Sequence, residues 1–284
     1  MTKRKLFFLI RRIYQHLTMP ISVFFILSDK KIHPSYKMNF SRKIILGIRM
    51  YSNTLNILTG TSFRSHLSMA VKILEAPPDI KGDIVECGTW KGGSAVNLSL
   101  VCKIVGRKLK IYDSFEGLPE ALPEDKTALP SSRGFFCGSL EEVKSNIAKY
   151  GELDCCEFIE GWYQDTLPKI KDPILLGFLD VDFQASLDIC VRCIWPNLVD
   201  KGYLFIDDYV ILDNCALFYS EKYWEKYFQR HPPGLIGAGS GLSLGGYFIG
   251  PWQGIDAPLL EGPTGPAYTR KDFSGHWNFY HDEK

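Results

Sequence analysis

The stretch VECGTWKGGSA, residues 85–95, begins as a short apolar run, continues as a glycine-rich turn and ends where a helical pattern starts. Gly88, Gly92 and Gly93 lack a Cβ, so the backbone can turn tightly there and approach a ligand closely. The stretch does not match the G-x-G-x-x-G motif, and a single glycine turn is weak evidence by itself. Its order of elements still predicts a strand, a ligand-binding turn and a helix that begins at Ser94.

Strand and helix patterns alternate along the chain from this strand onward. Units of strand, helix and strand indicate right-handed crossovers, and therefore an α/β fold with a mostly parallel central sheet and helices on both faces. Ligands of such sheets bind beyond the carboxyl ends of the strands. The apolar stretch LSLGGYFIG, 242–250, and its surroundings are predicted to add antiparallel strands at the C-terminal edge. The predicted strands are 83–87, 108–114, 156–161, 174–182 and 202–208, and the predicted helices are 94–105, 141–150, 186–198 and 219–228.

Basic residues are distributed unevenly along the chain. The formal net charge of the 284 residues is +1, which gives no reason to expect nucleic-acid binding. Residues 1–43 nevertheless contain ten Lys or Arg residues and a single acid, Asp29. Arg11, Arg12 and His16 interrupt the apolar run of this region, which argues against a membrane-spanning helix. We therefore predict an amphipathic helix that packs on the protein's own core, on a dimer partner or on a membrane surface.

The charge distribution suggests two parts of the chain. Residues 1–60 are predicted to form a basic, apolar helical segment that serves as a lid, a dimer contact or a peripheral membrane contact through residues 1–43. Residues 61–284 are predicted to form the main domain. No secretory signal is recognisable and the eight cysteines are scattered, so we expect a cytoplasmic protein, with contact at the inner membrane surface as an option. His66 could be a base, but a lone histidine in a helical stretch is more often structural.

Two acids lie at the ends of the first two predicted strands. Glu86 stands beside the glycine turn, where a carboxylate would repel a pyrophosphate but suit a cationic amino-acid group. Asp113 ends the second strand, where an acid commonly binds both hydroxyls of a ribose. Together these acids favour S-adenosylmethionine over NAD as the ligand. The alternative for Asp113 is a capping role in the turn that follows it.

Four aspartates follow the apolar runs of FLDVD and LFIDD. Asp180 and Asp182 point to the same face of an extended chain, and neighbouring strands lie roughly 4.8 Å apart. If the fourth and fifth strands are adjacent, Asp207 and Asp208 end beside them. Like charges about 5 Å apart repel by about 3 kcal/mol per pair at an effective dielectric constant of about 20, so the cluster requires protons or a cation. Mg²⁺ or a similar divalent ion prefers such oxygen ligands. Alternatively, Asp207 or Asp208 caps the next segment and a single acid faces the cleft.

Five motifs follow one another at a characteristic spacing: VECGTWKGGSA, YDSFEGLPE (112–120), GWYQDTLP (161–168), LDVDFQASLD (179–188) and FIDDY (205–209). In this order they resemble the macrocin O-methyltransferase family, the metal-dependent sugar methyltransferases of macrolide and aminocoumarin pathways. The resemblance covers roughly residues 60–250. It implies a class I methyltransferase, Rossmann-like fold, the use of S-adenosylmethionine and Mg²⁺, and methylation of a sugar hydroxyl.

The resemblance also implies which residues contact the methyl donor. Three pairs correspond to its methionine, ribose and adenine parts, respectively: Gly88 and Thr89, Asp113 and Ser114, and Gly161 and Trp162. Five further residues are predicted to line the same site: Glu86, Gly92, Gly93, Ser94 and Asp180.

Roles for the four aspartates follow from the same resemblance. Asp180, Asp207 and Asp208 would bind the metal, and Asp182 would be the general base. The residues alone leave open whether Asp180 or Asp182 is the base, since either could bind the metal. The family pattern has a glycine between these two acids where this chain has Val181, which suggests a different acceptor for the same chemistry.

We therefore expect an O-methyltransferase that depends on S-adenosylmethionine and a divalent metal and acts on a sugar or a glycosylated metabolite as a homo-oligomer such as a dimer. One alternative keeps the fold and the donor but methylates a catechol-like phenol, whose two adjacent oxygens the metal would bind. Another alternative is a non-catalytic cofactor-binding module at a membrane surface, because residues 1–43 are so basic.

Overall fold

The structure is a computed structural model that describes most of the chain. The described residues are 32–61, 63–120, 122, 133–209, 211–236 and 266–272, together with seven positions between 13 and 24. The stretch 242–250, which is predicted to form the antiparallel edge, lies outside them.

The described residues form one six-stranded sheet. Its strands are β1 (Asp83–Cys87), β2 (Leu109–Asp113), β3 (Cys156–Glu160), β4 (Ile174–Leu179), β5 (Leu198–Ile206) and β6 (Ala267–Arg270). Their order across the sheet is β3-β2-β1-β4-β5-β6, in which the first five strands are parallel and β6 pairs antiparallel with β5. The predicted mostly parallel sheet with an antiparallel C-terminal edge is confirmed, and β6 forms that edge.

Helices cover both faces of this sheet, as predicted. They are α1 (Phe40–Asn56), α2 (Phe63–Glu75), α3 (Gly93–Val105), α4 (Leu140–Tyr150), α5 (Tyr163–Thr166), α6 (Gln184–Ile194), α7 (Leu212–Leu217) and α8 (Glu221–Phe228). Alternate strand residues point to opposite faces. Ile84 and Phe178 accordingly join a core cluster with residues of α1 to α4, whereas Val85 and Leu179 join a second cluster with residues of α6 to α8.

The segment after β4 departs from the prediction at its end. Helix α6 stops at Ile194, and Trp195–Asn197 form a short 3-10 helix instead of continuing to residue 198. Pro196 explains the difference, because it has no N–H to continue an α-helix. Strand β5 then begins at Leu198. In α8, Trp224 is fully buried, which confirms that the predicted helix at 219–228 is a packed one.

Helices α1 and α2 share a polar contact with α3 inside the core. Asn53 Nδ2 donates to Asn97 Oδ1 at 2.9 Å, and Asn97 Nδ2 lies 2.8 Å from His66 Nδ1. Burial lowers the pKa of His66 to about 3, so its imidazole is neutral at physiological pH. His66 therefore has a structural role. The division of the chain after residue 60 is a separate matter and stays a prediction. Within the described residues, no helix is both long and apolar enough to cross a membrane.

Backbone contacts join the carboxyl ends of the central strands. The Gly88 N–H donates to Tyr112 O at 3.1 Å, and the Asp180 N–H donates to Cys87 O at 3.0 Å. Gly88 adopts a φ of 83°. A Cβ at Gly88 would overlap the carbonyl oxygen of Asp180. Only glycine therefore allows the turn after β1 to pass so close to the end of β4.

Substituting Gly88 by alanine should destabilise the fold. We expect Gly88→Ala to lower the free energy of unfolding in urea by at least about 2 kcal/mol, because the overlap adds to left-handed backbone strain. Gly106→Ala is a matched control, since Gly106 also has a positive φ, of 69°, but open space around its Cβ position. Its cost should be about 1 kcal/mol from backbone strain alone. Equal costs for the two variants would show that the close approach to Asp180 does not matter.

Candidate active site

Three aspartates converge beyond the carboxyl ends of β4 and β5. Leu179 pairs with Ile206 as the last residues of these parallel strands, so the chains leave the sheet side by side. The Asp207 N–H also donates to Leu179 O at 2.9 Å. As a result, one carboxylate oxygen from each of Asp180, Asp207 and Asp208 lies within 4.8 Å of the other two. The predicted adjacency of the two strand ends is confirmed.

Asp182 lies next to this group in an unusual backbone conformation. Its φ is 56°, in the left-handed region that few residues other than glycine, asparagine and aspartate adopt. Two contacts hold it there: its N–H donates to Asp208 Oδ2 at 3.0 Å, and its carbonyl oxygen accepts from Asn214 Nδ2 at 3.3 Å. Asn214, on α7, is almost fully buried. Such strain is typical of residues with a functional role.

At neutral pH Asp180, Asp182 and Asp207 favour their protonated forms, whereas Asp208 is mostly ionised. Burial, and then the charge of Asp208, raises the pKa of Asp180 to about 8. Burial and the neighbouring carboxylates raise the pKa values of Asp182 and Asp207 well above the usual range. Burial raises the pKa of Asp208 only to about 6, because the Asp182 N–H stabilises its charged form. The ligand-free cluster therefore shares protons, which a divalent cation could replace.

Thr61 contributes a contact that the sequence analysis missed. Its buried hydroxyl donates to Asp180 Oδ2 at 3.3 Å. Thr61 lies in the loop between α1 and α2, 119 residues before Asp180 in sequence. Neither Thr61 nor Asn214 belongs to a motif with a known spacing, so no local pattern could have identified them.

On the other side of the cluster, Asp113 organises the turns after β1 and β2. Its Oδ2 accepts from the Thr89 N–H at 2.8 Å, and its Oδ1 accepts from the Phe115 N–H at 2.7 Å. These contacts are those of the capping alternative. Each carboxylate oxygen keeps a further lone pair, so a ribose contact by Asp113 is compatible with them and stays a prediction.

Glu86 is fully buried beneath the same turn. Its carboxyl group accepts hydrogen bonds from the hydroxyls of Ser94 and Thr89. Burial raises the pKa of Glu86 to about 8, so the group is mostly neutral at pH 7 in the ligand-free protein. Glu86 and Ser94 thus stabilise the turn from below, and their contact with the donor stays a prediction.

The remaining predicted donor-site residues lie in the loops around this turn. The Gly161 N–H donates to Asp113 O at 3.0 Å, which places Trp162 at the start of α5. Ser114 accepts from the Glu116 N–H at 3.2 Å. A Cβ at Gly93 would lie 2.6 Å from Thr59 Cβ, so Gly93 lets the loop before α2 approach α3. Gly92 caps the N-terminus of α3 with a φ of 82°.

Comparison with known families identifies the chain. The family model of the macrocin-O-methyltransferases (TylF) matches residues 54–230, more than half of the chain. The chain belongs to the macrocin-O-methyltransferase family. It is an enzyme, an S-adenosylmethionine-dependent O-methyltransferase. The match includes the glycine turn and all four aspartates beyond β4 and β5, and it begins within α1.

Three relatives of this macrocin-O-methyltransferase family member are themselves named O-methyltransferases. It is 32% identical over 177 residues to the 8-demethyl-8-(2,3-dimethoxy-alpha-L-rhamnosyl)-tetracenomycin-C 4'-O-methyltransferase of Streptomyces olivaceus, covering 59% of this chain and 67% of that protein. Identity is 30% with the demethyldecarbamoylnovobiocin O-methyltransferase of Streptomyces niveus, covering 48% and 56%. Identity is 28% with the mycinamicin III 3''-O-methyltransferase of Micromonospora griseorubida, covering 46% and 57%. The chain thus spans little more than half the length of the last two relatives.

Solved structures agree on the fold. The O-methyltransferase NovP superposes with a TM-score of 0.52 at 18% identity, covering 91% of this chain and 99% of NovP. The calicheamicin methyltransferase CalS11 superposes with a TM-score of 0.50 at 14% identity, covering 87% and 89%. The predicted class I methyltransferase, Rossmann-like fold is confirmed.

The stability of the metal-free protein should fall as the pH rises. An unfolded aspartate has a pKa of about 4, whereas the folded values for Asp208 and Asp180 are about 6 and about 8. Between about pH 4 and about pH 8 the folded state therefore holds more protons than the unfolded state. For each extra proton held, a rise of one pH unit lowers the free energy of unfolding by about 1.4 kcal/mol. The measurement is urea unfolding across this range in a chelator.

Added Mn²⁺ or Mg²⁺ should raise the stability most at the alkaline end, because the cation replaces those protons. Glu86→Gln is the control, since Glu86 also has a raised pKa but is not one of the three clustered carboxylates. It should reduce the slope and leave the cation effect unchanged. A flat profile that cations do not alter would contradict the proton-sharing cluster.

Proposed function

We propose that this family member transfers a methyl group from S-adenosylmethionine to a hydroxyl of a sugar or a glycosylated metabolite, with the help of a divalent cation. The observation that carries the proposal is the group of Asp180, Asp207 and Asp208, whose carboxylate oxygens lie within 4.8 Å of one another beside Asp182. The names of the relatives support the acceptor class, since two of them describe a 4'-hydroxyl of a rhamnosyl compound and a 3''-hydroxyl of mycinamicin III.

The donor set fits a hard divalent cation. Three carboxylates from adjacent strand ends provide oxygen ligands and leave other coordination positions open. Burial raises the pKa values of all three, and neighbouring carboxylates raise those of Asp180 and Asp207 further, so ionising the cluster without a cation costs free energy. When bound, a divalent cation would supply positive charge that stabilises an acceptor oxygen as it loses its proton. We propose Asp180, Asp207 and Asp208 as its ligands.

Proton transfer and positioning would depend on side chains of the protein itself. Asp182 would be ionised, because a bound cation lowers the pKa of neighbouring carboxyl groups. Its carboxylate would then accept the hydroxyl proton, while the contacts with Asp208 and Asn214 fix its backbone. Thr61 would orient Asp180 through its hydroxyl. Because methyl transfer requires the acceptor oxygen in line with the carbon–sulfur bond, such positioning supplies much of the rate.

The methyl donor would lie beyond the ends of β1 and β2, next to the acid cluster. The proposed contacts are those that the family resemblance implies. The glycine turn and Thr89 would contact the methionine part, Asp113 and Ser114 the ribose, and Gly161 and Trp162 the adenine. Asp113 already joins the turns after β1 and β2 through the Thr89 and Phe115 N–H groups, so the proposed donor site is preformed in outline.

A methyl-transfer screen tests the proposal. The purified chain is incubated with labelled S-adenosylmethionine and with glycosylated or catechol-type acceptors, in Mg²⁺ or in chelator. We expect transfer to glycosylated acceptors that chelator abolishes and Mg²⁺ restores. Transfer to catechols alone would favour the phenol alternative. Full activity in chelator would overturn the role of the metal.

Replacing Asp182 by asparagine should separate the base from the metal ligands. Asparagine tolerates the left-handed backbone, and it keeps both backbone contacts of position 182. We expect Asp182→Asn to reduce kcat at least about 100-fold and to leave Mn²⁺ affinity, measured by calorimetry, unchanged within about threefold. The matched variant Asp207→Asn should weaken Mn²⁺ binding instead. If Asp182→Asn keeps full methyl transfer with intact cation binding, Asp182 is not the base.

A further inference from the structure

Exposed apolar side chains are concentrated at the N-terminal end of the chain. Among the described residues, fourteen large apolar side chains are exposed, and nine of them lie between residues 13 and 58. Single exposed apolar residues are ordinary, but a concentration of this kind marks an interaction surface. The nine residues, which we call the N-terminal apolar surface, are Ile13, Leu17, Ile21, Phe24, Phe40, Ile45, Ile48, Leu55 and Leu58.

The first part of this surface is one side of a helix whose other side is packed on the protein. The described positions between 13 and 24 are helical. At 3.6 residues per turn, the four exposed large apolar side chains, Ile13, Leu17, Ile21 and Phe24, fall within an arc of about 80°. Met19 and Val23 project about 140° away from the centre of that arc. Val23 is buried against α1, where a Cβ on Gly47 would overlap it. The exposed side is therefore not the side that anchors the helix.

The second part of the surface belongs to α1 and is continuous with the first. The rings of Phe24 and Phe40 lie 6.4 Å apart in an edge-to-face arrangement, and Phe40 is 64% exposed. Ile45, Ile48 and Leu55 extend the exposed apolar side along α1. Two helices thus present one apolar surface that the described residues do not cover.

The charge of this region decides which partner fits. Residues 1–43 contain ten Lys or Arg residues and one acid. In a symmetric dimer through the N-terminal apolar surface, two such basic segments would meet and repel each other. An anionic lipid surface instead attracts the basic residues while its acyl region accepts the apolar ones. We propose that the N-terminal apolar surface docks on an anionic membrane surface.

The mode of contact is interfacial. The described helical positions between 13 and 24 lie against α1 through Val23 and Gly47, and no described helix is suited to cross a bilayer. An apolar helix side that belongs to a basic segment of the chain lies in the headgroup region instead. The surface ends at Leu58, three residues before Thr61, which contacts Asp180. Docking would therefore bring the membrane to the loop that borders the acid cluster.

Vesicle co-sedimentation of the full-length chain tests the proposal. We expect binding to vesicles that contain about 30% phosphatidylglycerol, and little binding to pure phosphatidylcholine, because the basic residues need anionic lipid. Binding should weaken as salt is raised. Ile21→Glu, which places a charge on the apolar surface, should lower the binding at least about tenfold. Replacing Lys3, Arg4 and Lys5 by glutamine should lower it by a similar factor.

Ile236→Glu is the matched control, since Ile236 is exposed to a similar extent, 48% against 55% for Ile21, but lies outside the N-terminal apolar surface. It should bind vesicles like the unmodified chain, and both variants should keep their thermal stability. The proposal is overturned if the unmodified chain does not bind anionic vesicles at low salt, or if Ile21→Glu and Ile236→Glu lose binding equally. Light scattering, which measures the mass of the particle in solution, distinguishes a dimer contact from membrane binding. If the chain does not bind vesicles but forms a dimer that Ile21→Glu dissociates, a second copy covers the surface.

Discussion

The parallel pairing of β4 with β5 is the constraint on which the candidate active site depends. It brings Asp180, Asp207 and Asp208 together, and backbone hydrogen bonds from Asp180 and Asp207 to neighbouring strands prevent them from moving apart. Protons or a cation would relieve their mutual repulsion. The protein thus maintains a cluster that opposes its own folding, as functional sites often do. The large core clusters on both faces of the sheet supply the stability that tolerates it.

Two loops from distant parts of the chain complete this site from opposite sides. The turn at Gly88 passes the backbone of Asp180 at the end of β1, while the loop before α2 brings Thr61 to the Asp180 side chain. The same loop approaches the start of α3 through Thr59 and Gly93. A residue on the proposed donor side and a residue of the N-terminal part therefore meet at Asp180, Gly88 at its backbone carbonyl and Thr61 at its carboxylate. Changes in the N-terminal part would reach the cluster through that contact.

The sequence was informative where chemistry follows from local order along a strand. Apolar runs located β4 and β5, although these strands end at Leu179 and Ile206 and not at residues 182 and 208 as predicted. Because parallel pairing places neighbouring ends together, the meeting of Asp180 with Asp207 and Asp208 was still predictable. Thr61 and Asn214 were not predictable, because their contacts depend on the path of loops that carry no periodic pattern. The role of Asp113 was predicted only in part. The sequence indicated that this residue is important, but only the structure showed which two backbone N–H groups it accepts from.

The backbone of Asp182 bears on the choice between base and ligand that the residues alone left open. Asp180 continues directly from β4 and lies within the group of three carboxylates, whereas Asp182 turns into the left-handed region and lies beside it. Asp208 belongs to that group and also accepts the Asp182 N–H. Asp208 would then position both the cation, through its carboxylate, and Asp182, through the backbone N–H of that residue. Binding of the cation would therefore also fix the position of the base. This shared residue supports Asp182 as the proton acceptor and Asp180 as the ligand.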